Sequence, residues 1–385
     1  EELDKVLRSG RKLKLYQGFD PTGIQLHIGH MVGLRKLRQW QDLGHHVIFL
    51  IGDGTGQAGD PSGKTKPREK FFTREELRKN ATNYVKQASK IVRFKGENPV
   101  EILFNGDWLN KLGYTEILEL LGHVSLQQLE ERDLFEERKK KGEDIIMREF
   151  IYPVLQGYDS VAMNVDLEIG GSDQTFNMLM GRKLMRHLLK KDKFVMTTPL
   201  LADSRGVKIG KTEGNAIALT DKPEYLFGKI MALPDDVILK GFEYLTDVPM
   251  QDIKKMKGQL EKGENPIGFK KQLALEIVKR LNTEEEARKA QENFEKTVQQ
   301  KEIPSEIEIF MLPQSLKSAA TISDVVFASG LAESKSEAKR VIEQGGLKIN
   351  NKIVKNPNSL LSLYLKENEL TIQRGTRKFV KITSK

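Results

Sequence analysis

Residues 16–33 read YQGFDPTGIQLHIGHMVG, and their punctuation decides the fold. Residues 13–19 form an apolar run, which Gly18, Pro21 and Gly23 turn. His27 and His30 stand where a helix should begin, and Met31, Leu34, Leu37 and Trp40 follow at helical spacing. The reading is a strand over 13–19, a turn, and a helix over about 29–43. A helix N-terminus presents backbone N–H groups and the positive end of a dipole, so this spot is expected to receive phosphate oxygens beside two imidazoles. Gly29, lacking a side chain, is expected to let a ligand approach the backbone. A metal reading of the histidine pair lacks an HExxH pattern, a third ligand cluster and any cysteine.

Outward from this stretch, Gly44 ends the helix and VIFLI (47–51) reads as a buried strand running into GDGTGQAGDPSGKTKPR (52–68). Strand, helix and strand with short connections open a parallel doubly wound sheet. Gly63, Lys64 and Thr65 end like a P-loop, but the leading glycine of that pattern falls on Ala58, and Pro61 interrupts the run of N–H donors. Residues 73–94 read as an amphipathic helix capped by Thr73, with Glu75 and Glu76 in its first turn, and 100–104 as another strand.

Residues 107–148 are helical and charged and break the alternation, so they read as an insertion. Ile117, Leu118, Leu120 and Leu121 are assigned to one helix face there, with a dimer surface as the expected use. On a helix beginning near 152, Tyr152, Gln156 and Asp159 share a face. A strand over 166–169 then ends in GGSDQ (170–174), and ligands of open α/β sheets bind off the carboxyl ends of strands. KIGKT follows at 208–212. Beyond 221 the pattern changes to charged amphipathic helices, such as 251–262 and 268–281. Pro304 and Pro313 mark a linker, and helices over 321–328 and 335–344 lead into GGLKINNKIV.

Composition narrows the class. The 385 residues hold no cysteine, which excludes disulfides, thiolate nucleophiles and Cys-ligated zinc. No apolar run approaches the roughly 18 residues of a spanning helix, and no signal peptide is visible, so the expectation is a cytoplasmic protein without a membrane partner. Net charge is +9, and residues 321–385 carry 12 Lys/Arg against 6 Asp/Glu, or +6. A basic excess concentrated in a terminal module is the footprint of a polyanion partner.

Taken together, HIGH at 27–30, GDPSGK at 59–64, YxxxQxxD with GGSDQ at 152–174 and KIGKT at 208–212 resemble the motifs of class I aminoacyl-tRNA synthetases. With the tail, which resembles an S4-type RNA-binding fold, the chain looks like the bacterial-type tyrosyl-tRNA synthetases over essentially its whole length. KIGKT keeps the two lysines of the KMSKS pattern, with Gly210 and Thr212 as small-residue variants. Gly54 and Ala58 are smaller than the resemblance leads one to expect.

The resemblance implies an α/β fold: a Rossmann-like doubly wound parallel sheet with a helical insertion, followed by an α-helical domain and a small α+β S4-like domain. The implied boundaries are 1–220 for the catalytic domain, 221–300 for an anticodon-binding helical domain, 301–319 for a linker and 320–385 for the S4-like domain. It implies tyrosine–tRNA ligation through tyrosyl-adenylate, with ATP and Mg²⁺, no permanently bound cofactor, no protein-held metal, tRNA(Tyr) as partner and a homodimer.

The roles it implies follow the motifs. Thr22, His27, His30, Lys64, Arg68, Lys208, Lys211 and Thr212 would serve phosphate transfer. Tyr16 and Asp159 would bond the tyrosine hydroxyl, while Asp60, Tyr152, Gln156 and Gln174 would hold its ammonium. Asp20, Gly29, Asp173 and Lys211 fit the ATP side, and Lys335, Lys339, Arg340, Lys348 and Lys352 an RNA surface.

Among rival readings, a tryptophanyl-tRNA synthetase is disfavoured by the Tyr16 and Asp159 pair and by the tail. HxGH nucleotidyltransferases lack such a tail. A catalytically retired RNA-binding protein would have eroded the cations that stand here at His27, His30, Lys208 and Lys211.

Overall fold

The computed structural model describes all residues except 24, 63–69, 131–132, 210–215, 300–307, 314–315, 317–319, 366–368, 376–377 and 384–385. The chain divides into two compact units, 1–222 with 229–284, and 223–228 with 285–385.

In the first unit, β1 (Lys14–Phe19), β2 (His46–Ile51), β3 (Glu101–Phe104), β4 (Leu167–Gly171) and β5 (Phe194–Thr198) form one sheet in the order β3-β2-β1-β4-β5. Every pairing is parallel. The expected strand–turn–helix is present: α1 (Ile28–Asp42) follows β1 and delivers the chain to β2. Topology reverses between β1 and β4, which are neighbours, and the crevice at their carboxyl ends is where such sheets take ligands. Register sets Tyr16 of β1 opposite Glu168 of β4.

Arg74–Ala88 forms the helix α2, closed by the capping box that Thr73 and Glu76 announce. Helix α3 (Tyr152–Met163) packs on α4 (Thr175–Leu188), and glycines set their approach. A Cβ on Gly157 would stand 3.1 Å from the backbone nitrogen of Gly181, so neither helix tolerates a bulkier residue there.

The insertion is realised as short helices, Gly106–Leu109, Tyr114–Gly122, Leu126–Glu130, Asp133–Lys141 and Met147–Phe150. Its apolar residues do not share one face: Leu120 is buried in a cluster with Phe135 and Phe150, whereas Ile117 and Leu118 are 40% and 50% exposed. Only one side of the helix Tyr114–Gly122 is covered by the chain's own core.

The stretch 221–300, expected as one helical domain, is divided: 229–284 counts with the first unit and 285–299 with the second. Arg35 gives the physical reason. From α1 its buried guanidinium donates to the carbonyls of Tyr244 (2.5 Å) and Thr246 and to Asp247 Oδ1 (2.7 Å), tying the end of α5 (Ile238–Leu245) to the catalytic helix.

In the second unit, β6 (Glu308–Met311), β7 (Leu347–Ile349), β8 (Lys352–Val354), β9 (Glu369–Arg374) and β10 (Lys378–Thr383) form a sheet of order β6-β10-β9-β7-β8. Its apolar side packs against α6 (Ile322–Ala328) and α7 (Lys335–Glu343). The β7–β8 hairpin turns on Asn350 and Asn351, both at positive φ (47° and 65°), as a two-residue hairpin loop requires.

Asp324 closes the N-terminus of α6. It accepts from the Thr321 backbone N–H (3.2 Å) and hydroxyl (2.6 Å) and from Lys335 Nζ (2.8 Å). The Lys335 ammonium first, and then Thr321, pull its carboxyl down to about 2. Asp324→Ala is expected to lower the stability of this unit by about 1 kcal/mol. Because the folded value is depressed, the contribution is complete above the ordinary carboxylate range and is lost as pH falls through about 2. Amide exchange of the unit's core strands, measured at pH 7 for wild type and variant, checks the magnitude.

Candidate active site

A cleft of about 420 Å³ opens at the carboxyl ends of the first sheet. Of the predicted residues, Tyr16, Asp20, Thr22, His27, Gly29, His30, Asp60, Tyr152, Gln156, Asp159, Asp173, Gln174 and Lys208 all line it. Lys64, Arg68, Lys211, Thr212 and Gly210 lie outside the described residues.

The two histidines cap α1. His27 Nδ1 accepts from the Gly29 N–H (3.1 Å), and His30 Nδ1 accepts from the His27 N–H (3.1 Å), with ring centroids 3.9 Å apart. Two features of this turn were not legible in the sequence. The first N–H groups of the helix are already engaged, since Ile28 donates to Ile217 O (2.9 Å) and His30 to His27 O (2.8 Å). Gly29 makes room for an imidazole before any ligand, because a Cβ there would lie 2.9 Å from His27 Cε1. The N–H groups of this turn are thus engaged within the chain, while both imidazoles line the cleft.

Lys208 and Ile209, the described residues of KIGKT, line the same cleft. Ile209 N–H donates to Leu201 O (2.8 Å), and Leu219 N–H donates to Leu26 O (3.0 Å), immediately before the HIGH residues. Lys208 Nζ sits 2.7 Å from Asp173 Oδ2, so two residues assigned to the ATP side hold each other.

At the inner end, Asp159 is buried, and each of its oxygens accepts one N–H: Oδ1 from Trp108 Nε1 (2.8 Å) and Oδ2 from Asn105 Nδ2 (3.0 Å). Burial pushes its carboxyl well above the usual range, while the two donors pull it back down. Tyr16 is buried beside it; its hydroxyl meets Ser160 Oγ at 2.9 Å, not Asp159, and burial, with Glu168 and Asp159 nearby, pushes its phenol up.

Asp20 Oδ2 accepts from the Tyr152 hydroxyl (2.9 Å) and Oδ1 from Thr55 Oγ1 (2.7 Å), so Asp20 organises the pocket side as well as facing the cleft. Asp60 accepts from Ser62 N–H (2.9 Å) and Gln174 Nε2 (2.8 Å). From there one chain of bonds runs inward. Asn177 Nδ2 donates to Gln174 Oε1 and to Gln156 Oε1, each at 2.9 Å, and Gln156 Nε2 donates to Glu168 Oε1 at 3.0 Å. Carboxylates only accept, so Asp60 at one end and Glu168 at the other fix the sense of every amide between them.

Sequence reasoning missed Asn105, Trp108, Ser160, Glu168, Asn177 and Lys193. Glu168 did leave a signal, a carboxylate inside an otherwise apolar strand. Asn177 lies three residues beyond GGSDQ, on the helix that loop begins. Asn105 also answers the small size of Gly54: a Cβ there would press on Gly106 Cα and Leu109 at 3.0 Å, so α-helical residues 106–109 already fill the space. Asn105 Oδ1 accepts from the N–H groups of Gly54 (2.8 Å) and Thr55 (3.3 Å), and its Nδ2 donates to Thr55 Oγ1 (2.8 Å) as well as Asp159.

These features define a class I aminoacyl-tRNA synthetase: a doubly wound parallel sheet, a helix capped by two histidines after its first strand, and Lys208 in the cleft beside them. Residues 8–299 match the family described as tRNA synthetases class I (W and Y), and residues 322–363 match the S4 domain. The chain is 41% identical to the tyrosine–tRNA ligase of Aquifex aeolicus over all of its own length and 95% of that protein, and 40% identical to that of Thermotoga maritima over all of its length and 93% of that protein. Its structure is similar to a C-terminally truncated mitochondrial tyrosyl-tRNA synthetase of Coccidioides posadasii (26% identity, TM-score 0.60, 75% of this chain and 85% of that one). The fold is also that of the Archaeoglobus fulgidus enzyme solved with L-tyrosine (21% identity, TM-score 0.59, 75% and 93%). The chain belongs to the bacterial-type tyrosyl-tRNA synthetases.

Asn105→Ala is expected to leave the Gly54 and Thr55 N–H groups and Asp159 short of partners, at a cost of at least about 2 kcal/mol in global stability. Urea unfolding followed by tryptophan fluorescence measures it.

Proposed function

We propose the following division of labour for the tyrosine–tRNA ligase reaction that family membership assigns to this chain. The tyrosine carboxylate attacks the α-phosphorus of ATP, the bond to the bridging oxygen breaks, and pyrophosphate leaves. The 3′-terminal ribose hydroxyl of tRNA(Tyr) then attacks the adenylate's carbonyl, and AMP leaves. The attacking carboxylate is already ionised, so the first step needs no protein base. Its acceleration comes from alignment and from cations where phosphate charge develops.

The observation that carries the amino-acid assignment is the hydrogen-bond chain joining Asp60 to Glu168 beneath the cleft. It gives the cleft an anionic outer end at Asp60, suited to an α-ammonium group with Tyr152, Gln156 and Gln174. Its inner end, where Tyr16 and Asp159 face the cleft, suits a phenol hydroxyl. A pocket built to bond a hydroxyl leaves buried groups unpaired when the analogue lacking it enters, and tyrosine against phenylalanine is the familiar example.

On the ATP side, Thr22, His27 and His30 would meet phosphate, with Lys64, Arg68, Lys211 and Thr212 as the further groups, and Gly29 and Asp20 beside them. The Lys208–Asp173 pair would part as ATP binds, Asp173 turning to the ribose and Lys208 to phosphate. Mg²⁺ would accompany ATP, held mostly by phosphate and water oxygens.

The helices from 221 to 300 would serve the anticodon arm. Lys335, Lys339, Arg340, Lys348 and Lys352, all exposed, would meet RNA phosphates; Lys335 and Lys339 border a small cleft with Thr321 and Asn358. Exposed Tyr114, Ile117, Leu118 and Leu126 support a homodimer through the insertion. No described helix is long and apolar enough to cross a membrane.

Amino-acid-dependent ATP–pyrophosphate exchange without tRNA is expected with tyrosine and absent with tryptophan. Asp159→Ala should abolish it while the fold persists, and unchanged tyrosine turnover would remove Asp159 from the pocket. Lys208→Ala should lower kcat about 100-fold with little change in the KM for tyrosine. A variant that altered only the tyrosine KM would instead place Lys208 away from the phosphates.

A further inference from the structure

Lys193, the residue before β5, belongs to no motif, yet its side chain has no exposure to solvent. Its ammonium lies 2.5 Å from Ser160 Oγ, pairs with Glu168 Oε2 and stands 5.8 Å from the centroid of the Tyr16 ring. Space has been kept for it: a Cβ on Gly181 would lie 2.6 Å from Nζ and 2.8 Å from Ser160 Oγ. A buried lysine at the floor of a substrate pocket is costly unless paired, and a hydrophobic residue would fill the same volume with less desolvation.

Donor and acceptor counting shows what the ammonium does there. Lysine only donates, so Ser160 Oγ accepts from it and has one proton left to give. That proton has two neighbours, Tyr16 Oη at 2.9 Å and Glu168 Oε2 at 3.4 Å. The tyrosine oxygen is nearer, and Glu168 is already met by Lys193 on Oε2 and by Gln156 on Oε1. Serine therefore donates to Tyr16, and the Tyr16 proton is left to point into the cleft. Glu168 is the other acceptor within reach of that proton, and there the Lys193 ammonium, a stronger donor than a phenol, already occupies Oε2 and competes with it. A substrate phenol brings one proton and oxygen lone pairs. Asp159, with an N–H on each oxygen, can take the proton; the complementary donor has to be Tyr16.

We propose that Lys193 is a positioning residue for substrate choice: acting through Ser160 and Glu168, it fixes the Tyr16 hydroxyl as a donor toward the phenol of tyrosine. The inference rests on the tyrosine-pocket reading above and extends it to groups that never touch the substrate.

The test is pyrophosphate exchange by the full chain with tyrosine and with phenylalanine, for wild type, Lys193→Met, Ser160→Ala and the double variant Lys193→Met with Glu168→Gln. Thermal melting is followed in parallel. In each single variant the KM for tyrosine should rise roughly tenfold while kcat stays near wild type. Phenylalanine, which does not use the Tyr16 proton, should keep its kcat/KM, so selectivity falls by the same factor.

Removing one partner of a buried pair can prevent folding. Ser160→Ala keeps the ion pair and carries the test if Lys193→Met does not fold. In the double variant the amide introduced by Glu168→Gln can donate to Ser160 in place of the ammonium, so most of the selectivity should return; loss of selectivity in Ser160→Ala, which leaves the ion pair intact, is the result that a merely structural ion pair would not produce. Folded Ser160→Ala with wild-type selectivity overturns the inference and leaves the tyrosine pocket standing. Absence of tyrosine exchange in the wild type overturns both.

Discussion

Two carboxylates buried side by side, Asp159 and Glu168, are the constraint around which the catalytic unit is arranged. A buried carboxylate is costly unless it is hydrogen-bonded or paired, and each is met by fixed donors. Asp159 takes the indole N–H of Trp108 and an amide proton of Asn105, and Glu168 takes Gln156 and Lys193. These donors come from the insertion edge, from the helix α3 and from the approach to β5, so three separate chain segments must dock before either charge is accommodated.

The ATP side is built differently. His27 and His30 spend one ring nitrogen each on capping α1, which orients the rings, and Lys208 is held by Asp173 on a partly exposed surface. Exposed ion pairs exchange partners at little cost, whereas the connected, partly buried chain of amides between Asp60 and Glu168 has each member fixed by the next. One side of the cleft is held by a connected hydrogen-bond chain, the other by a partly exposed ion pair. Under the proposed division of labour, that contrast would suit the two substrates, since charge moves on the phosphates during the reaction and not on the phenol.

Much of the architecture was legible because its signals are local. Strand, turn and helix around 16–42 and the capping box at Thr73 each follow from residues adjacent in sequence. The phosphate and tyrosine residues taken from the motifs of the first unit line one cleft wherever they are described. The missed groups share a different character. Asn105, Ser160 and Lys193 sit in segments whose local pattern is ordinary, and each matters through a partner 25 to 54 positions away. The helical stretch after 221 read as its own domain because its periodicity changes, while Arg35 ties part of it to α1 through carbonyls that no pattern reports.

By itself, then, the sequence determined the class of fold, the order of its motifs and the chemistry of the residues that face the substrates, because periodicity, caps and turns are properties of neighbouring residues. Only the tertiary structure decided which donor meets which acceptor. Parallel register set Tyr16 beside Glu168, close helix packing at Gly157 and Gly181 opened a space for one ammonium, and docking of the insertion edge brought Asn105 and Trp108 to Asp159. Hydrogen bonds are short-ranged and directional, so their pairing exists only once distant segments have been brought within about 3 Å of one another.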